Sequence, residues 1–278
     1  MTTEESPSLF DAAADPEGAA KAVAAAAPTA PERADLSMVR TLDSTLRAPM
    51  GRLLASLADN KYVIGRRYAE WCTGAPMLES AVAAAAMAQD ELGHARSFYP
   101  VLRGFQPADQ VSRMEEKGWQ HQPTNALRCL DQRFGAWEDF VAANVVVDST
   151  FTALLASAVD SPYEPLRQRA RKIVQEEAAH WVHGAGWLRR LAREGDTAAV
   201  DAALELAWDD AMTWFGQPDD GTLAPLADAG LLSAGPDALR QQLLAKLKPV
   251  LEPAGVAKSL LKRDLPWQAW DPDTRRLN

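Results

Sequence analysis

Cysteine and histidine are scarce in this chain: 278 residues carry two cysteines and four histidines. Cys72 and Cys129 are too few for a disulfide-stapled fold, and without a CxxC pair they offer no zinc ribbon. Basic charge is short as well, 29 Lys and Arg against 38 Asp and Glu for a net −9. That balance argues against a nucleic-acid partner or a basic membrane-surface protein. The uncharged stretch 22–31 is alanine and proline, neither long nor apolar enough to span a bilayer. The opening Met-Thr-Thr-Glu-Glu-Ser has no basic segment, so no secretory signal is expected, and the expected location is the cytoplasm. No Asn-Gly hairpin or convincing strand pair occurs. What remains, 47% hydrophobic and 24% charged, is ordinary globular composition, enough for one large domain or two small ones.

Residues 1–45 read as a flexible tail or strap, an alanine-rich tract punctuated by Pro7, Pro16, Pro28 and Pro31 with almost no large apolar side chains to offset its ordering entropy. Residues 46–278 read as one helical domain. Leu54, Leu57, Lys61, Ile64, Tyr68 and Cys72 recur at three- and four-residue steps, the inward stripe of a first helix from about Pro49 to Gly74. Pro76 suits the first turn of a second helix, running to about 104. A looser stretch, 105–132, precedes a third helix at 134–159. Val145-Val146-Val147 inside it would suit a strand alone, but its alanine- and leucine-rich flanks favour helix. A fourth helix is expected at 163–194, a fifth at 197–215, shorter ones over 224–262, and a wrapping tail from Asp264. Four long helices without strands predict an all-α bundle with extra C-terminal helices.

Two segments carry the chemistry. Asp90-Glu91-Leu92-Gly93-His94 lies on the second helix and Glu176-Glu177-Ala178-Ala179-His180 on the fourth. Each holds Glu-x-x-His, which sets a carboxylate and an imidazole one turn apart on one face, the spacing by which paired bundle helices present ligands to two metals. With 16 glutamates and four histidines, chance supplies about 0.2 such pairs, so two are not an accident. Ala84, Met87, Glu91, His94 and Phe98 share one stripe, and Ile173, Glu177, His180 and Gly184 another, so both pairs point at the core. On the third helix Asp148 sits in the apolar stripe of Val141, Val145, Thr152 and Leu155, where a lone acid is costly unless it is paired or ligates something. The first helix breaks the pattern, with Lys61 where a bundle di-metal site takes a carboxylate. Glu70 falls off that stripe and suits a salt bridge with Arg66 or Arg67.

Residues 58–94, from Ala58-Asp59-Asn60-Lys61 through Glu70-Trp71-Cys72-Thr73-Gly74 to Asp90-Glu91-Leu92-Gly93-His94, closely resemble the ring-oxygenase proteins of bacterial phenylacetate breakdown. That family includes the catalytic and structural subunits of phenylacetyl-CoA epoxidase, which are ferritin-like and metal-dependent. The resemblance covers roughly residues 50–215. It implies a ferritin-like four-helix bundle in which Glu91, His94, Glu177 and His180 match the catalytic subunit's ligands. Asp148, 29 residues before Glu177, falls where that subunit's third-helix acid falls, and Lys61, 30 residues before Glu91, on its first-helix glutamate. Residues 65–76 look instead like the structural subunit, which has lost its ligands.

Glu91, Asp148 and Glu177 at minus three with Lys61 at plus one leave minus two, the balance of one divalent ion rather than two. Three states are compatible with that charge: a mononuclear iron or manganese site, a weakened two-metal site, or a metal-free salt-bridge cluster. Two histidines with carboxylates suit non-haem iron with open positions for O2. The expectation is thus an O2-dependent oxygenase or oxygenase subunit, holding metal at Glu91, His94, Asp148, Glu177 and His180, with Lys61 tuning charge or replacing a ligand. By the resemblance its substrate is an aromatic or related acyl-CoA, and its partners are a homologous ferritin-like subunit and an external reductase. The alternative is a non-catalytic scaffold subunit of such an oxygenase. Among weaker candidates, His183 lies one turn from His180 but off its stripe, and His121 is expected to be exposed. Trp181, Trp187, Trp208 and Trp214 suit core packing, and Arg169, Arg171, Arg189 and Arg190 a solvated face rather than a coenzyme A phosphate.

Overall fold

In the computed structural model, which describes residues 41–102, 104–105, 125–194 and 197–278, helix begins earlier than the proline pattern suggests. The side chain of Asp43 accepts from the Thr45 amide at 2.8 Å and caps α1, Ser44–Ala69. Pro49 therefore sits inside the helix rather than opening it. Helix α2 spans Leu78–Leu102 and starts two residues beyond Pro76. The third helix, α3, is Trp137–Ser157, with Ala143–Asp148 wound as a π-helix. Helices α4 (Glu164–Glu194) and α5 (Thr197–Thr213) follow, then α6 (Leu223–Asp228) and α7 (Pro236–Ala254). The result is the all-α, ferritin-like bundle with extra C-terminal helices. The tail and strap expected over residues 1–45 lie outside the described residues up to Arg40, as do His121 and most of the loop expected at 105–132.

The core lies between the hairpin of α1 with α2 and that of α3 with α4; α2 meets α4 across it, and α5 and α7 pack on α3 from outside. That central position explains why α3 is apolar enough to cross a membrane by length and composition, yet 83% of its apolar window is buried inside the protein. Val145, Val146 and Val147 are helical as expected, and every side chain from Ala143 to Asp148 is buried. The π turn carries Asn144 and Asp148, and such turns are frequent at functional sites.

Small residues set the closest helix approach. A Cβ on Gly65, one turn past Lys61, would stand 3.0 Å from Glu91 Cβ and Leu92 Cγ and 3.1 Å from the Leu92 amide nitrogen. The glycine thus lets α1 lie directly against the turn that carries Glu91. Asp59, just before Lys61, accepts from Tyr99 Oη at 2.9 Å and from the Asn125 amide at 3.1 Å, while Asn60 Oδ1 accepts from Leu127 N at 2.9 Å. These bonds fasten the returning chain to the helix that carries the lysine.

The tail departs from the strandless expectation. Trp270–Asp271 and Arg276–Leu277 form a minimal antiparallel ladder, turned through Arg275 at φ +59°. Arg275 is fully buried, donates to Asp220 at 2.8 Å and to the Trp214 carbonyl at 2.5 Å, and lies over the rings of Trp214 and Trp270.

The close approach at Gly65 is testable. Gly65→Val is expected to lower stability by about 1–3 kcal/mol by overpacking against α2. Chemical denaturation measures it, and an unchanged midpoint would show that the two helices can separate without cost.

Candidate metal or ion-pair centre

The centre is built from one residue per helix, with α2 and α4 each adding a histidine one turn on. Lys61 Nζ lies 3.0 Å from Glu91, 2.7 Å from Asp148 and 2.5 Å from Glu177. The ammonium therefore has all three carboxylates as partners, and each of the four residues is buried. Glu91, Asp148, Glu177 and His180 can each offer one ligand atom within 4.8 Å of the others, a group that could hold a metal ion.

The two imidazoles share one orientation. His94 turns Nδ1 inward, 3.4 Å from Glu91 and 3.6 Å from Glu177, and its Nε2 outward to Glu176 on α4 at 2.9 Å. His180 turns Nδ1 to Asp148 and Glu177, both at 3.2 Å, and its Nε2 to Asp90 on α2 at 3.2 Å. Each histidine is thus oriented by the acid that immediately precedes the other helix's ligand-type glutamate. Asp90 and Glu176 were not singled out from sequence, although the doublets Asp90-Glu91 and Glu176-Glu177 were the visible signal. Outer carboxylates of this kind fix ring orientation.

Burial sets the electrostatics, and the charges then oppose it. Burial alone would push Lys61 down; Asp148, Glu177 and Glu91 outweigh it and hold the lysine well above its ordinary value. Burial would raise Glu91, but Lys61, His180 and His94 bring it well below the usual carboxylate range. Glu177 goes the other way: burial, then the charges of Asp148 and Glu91, lift it well above that range despite Lys61. His180 is desolvated too, yet its bonds to Asp148, Glu177 and Glu91 raise it. Positive charge is thus favoured on Lys61 and His180, and Glu177 is the carboxyl that resists ionisation.

Tested against a metal, the donor set fits one ion and conflicts with two. Three carboxylates and an imidazole nitrogen suit a single divalent cation, but Lys61 already engages an oxygen of each carboxylate, so one ion would compete with the ammonium and two would have still less room. His94 stands just outside the four-residue group, its buried Nδ1 near Glu91 and Glu177 but short of well-formed hydrogen-bond geometry among the described residues. Lys61 stands at the middle of the centre, as its place on the inward stripe suggests.

The weaker candidates lie elsewhere. Glu70 pairs with Arg67 at 2.7 Å. Arg169 donates to the Ser97 and Pro165 carbonyls, Arg171 to Val159 and Asp160, and Arg190 to Glu194, while Arg189 is exposed. They do not converge on one anion site. Trp208 and Trp214 are core residues, but Trp181 and Trp187 are only half-buried because they flank solvent-facing positions of α4. His183 packs edge-on to Trp137 and Phe140.

Removing the ammonium strands three acids. Lys61→Met, kept metal-free with a chelator, is expected to lose about 3–5 kcal/mol near pH 7. The freed carboxyls then have folded pKa values above their unfolded ones, so the native state binds more protons and the deficit shrinks towards about pH 5. Denaturant titrations at the two pH values check this; a deficit that grows on acidification contradicts it.

Known proteins share this region of the chain. A 157-residue stretch is 29% identical to one of the subunits of the 1,2-phenylacetyl-CoA epoxidase of Escherichia coli (strain K12). The match covers 55% of this chain and 62% of that relative, so the chain spans less than two thirds of the relative's length. The family model described as Phenylacetic acid catabolic protein matches residues 38–264, which takes in α1 to α7 and the whole centre. The chain belongs to the phenylacetic acid catabolic protein family.

Proposed function

We propose that this chain is a subunit of an O2-dependent oxygenase of the phenylacetyl-CoA epoxidase type, and that its own centre is closed by Lys61. On this reading it is the non-catalytic partner of a homologous ferritin-like subunit, which binds the aromatic or related acyl-CoA and receives electrons from an external reductase. The observation that carries it is the contact of one ammonium with all three carboxylates at 2.5–3.0 Å. Exchanging a carboxylate for such an ammonium changes the charge of the centre by two, as much as one divalent ion would bring, without redox chemistry. The Escherichia coli relative, itself named as one subunit of an epoxidase, supports membership of a multi-subunit enzyme.

A second reading has its own support: the compact group of Glu91, Asp148, Glu177 and His180, with the inward-turned His94 Nδ1 beside it. Here the chain itself is a one-metal oxygenase. Iron (or manganese) held by those four would supply the redox chemistry with O2. Asp90 and Glu176 then hold the imidazoles in their ligating orientation, and Lys61 tunes the charge of the centre.

Metal analysis of protein produced in iron- and manganese-rich medium separates the two. The closed centre is expected to retain under about 0.2 ions per chain. About one ion per chain with an iron or manganese spectrum would overturn it in favour of the second reading. Lys61→Glu restores a fourth carboxylate and is expected to raise the stoichiometry towards about two.

A further inference from the structure

A second concentration of buried polar atoms lies beside the ion centre, toward the end of the bundle marked by Trp137 and Trp187. The Tyr68 hydroxyl, both amide atoms of Asn144 and both ring nitrogens of His183 have no hydrogen-bond partner among the described residues. Tyr68 is 0% and Asn144 1% exposed. The three come from different helices, each offset toward the same end: Tyr68 is seven residues past Lys61, Asn144 four before Asp148, and His183 three past His180. Ring contacts join them, with Phe140 4.7 Å from Tyr68 and 6.1 Å from His183. Asn144 fills the space that Gly184 leaves, since a Cβ there would lie 2.1 Å from Asn144 Oδ1. The Asn144 amide faces the Tyr68 hydroxyl without reaching hydrogen-bond geometry.

Isolated unpaired polar groups are uncommon in folded interiors, and several side by side identify what should occupy the space between them. A hydroxyl both gives and takes, an amide offers donors and an acceptor, and a neutral imidazole offers one of each. An apolar ligand would leave all of them unpaired. A molecule that donates and accepts, and is small enough to sit between packed helices, is water. The outer end of this cluster meets solvent in a groove of about 340 Å³ lined by His183, Gly186, Trp187, Ser80 and Met77. The inner end borders the centre: Asn144 lies one turn before Asp148 on α3, and the Tyr68 hydroxyl feels the charges of Asp148, Glu91 and Glu177.

We propose that Tyr68, Asn144 and His183 line an internal water site that joins this groove to the Lys61–carboxylate centre, and that protons exchange between the centre and solvent along it. The inference concerns access to the centre and does not depend on whether the centre holds a metal.

The ammonium protons of Lys61 report on the path. Their exchange with solvent is measurable by ¹⁵N-correlated NMR, since an ammonium buried on three acceptors is shielded. Gly186→Trp blocks the groove, and a Cβ at Gly186 meets nothing within 4 Å, so the bundle is left intact. The expected result is at least about tenfold slower Lys61 ammonium exchange, the response of a site that opens through one route. An unchanged rate would overturn the path. Tyr68→Phe and Asn144→Leu test the water itself. If water pairs these groups, each substitution removes a satisfied bond and lowers the unfolding midpoint; a midpoint that stays or rises marks a dry site and overturns the proposal.

Discussion

One ammonium among three carboxylates is the interaction on which the rest of this structure depends. Glu91, Asp148 and Glu177 come from three helices and face one another in the bundle centre, where their mutual repulsion would oppose packing. Lys61 from α1 contacts all three and makes the arrangement tolerable. A buried ionic cluster of this kind adds little net stability over well-packed apolar residues, but losing one partner is costly. Its consequence here is geometric: it fixes which residues of the four helices share a level. The glycine crossing at Gly65 and the outer acids Asp90 and Glu176 hold the same register from either side.

Much of this was legible in the sequence because helical period and ligand spacing are local. The stripes through Lys61, Glu91 and Glu177 could be read from three- and four-residue steps alone, and the structure brings those three residues to one buried level. Asp148 was found by a different signal, an acid in an apolar stripe. What escaped was whatever depends on a partner far away in sequence. The doublets Asp90-Glu91 and Glu176-Glu177 were visible, but their pairing with His180 and His94 was not, because each bond crosses from one hairpin to the other. The π turn at Ala143–Asp148 was equally hidden, since its sequence reads as ordinary apolar helix. Arg275 was not read from sequence, because its burial depends on Asp220 and two tryptophan rings.

The family match and the departure at Lys61 fit together. The matched region contains every residue of the centre, and within it Lys61 stands where a bundle di-metal site takes a carboxylate. An acid-to-base exchange at a shared centre reverses what the neighbouring carboxylates need. Four acids require cations; three acids with an internal ammonium and a charged histidine approach balance unaided. The shifts within the cluster show this, with Glu91 held ionised and Glu177 resisting ionisation. Selection for a fixed arrangement of subunits would preserve such a cluster as readily as selection for catalysis.

Crystals soaked in excess manganese(II) and measured for anomalous scattering test the central claim most directly, because manganese and the Lys61 ammonium compete for the same oxygens. The result expected is Lys61 Nζ within hydrogen-bond distance of Glu91, Asp148 and Glu177, with no anomalous peak among them. A strong peak bonded to those carboxylates and His180, with the lysine displaced, would contradict it.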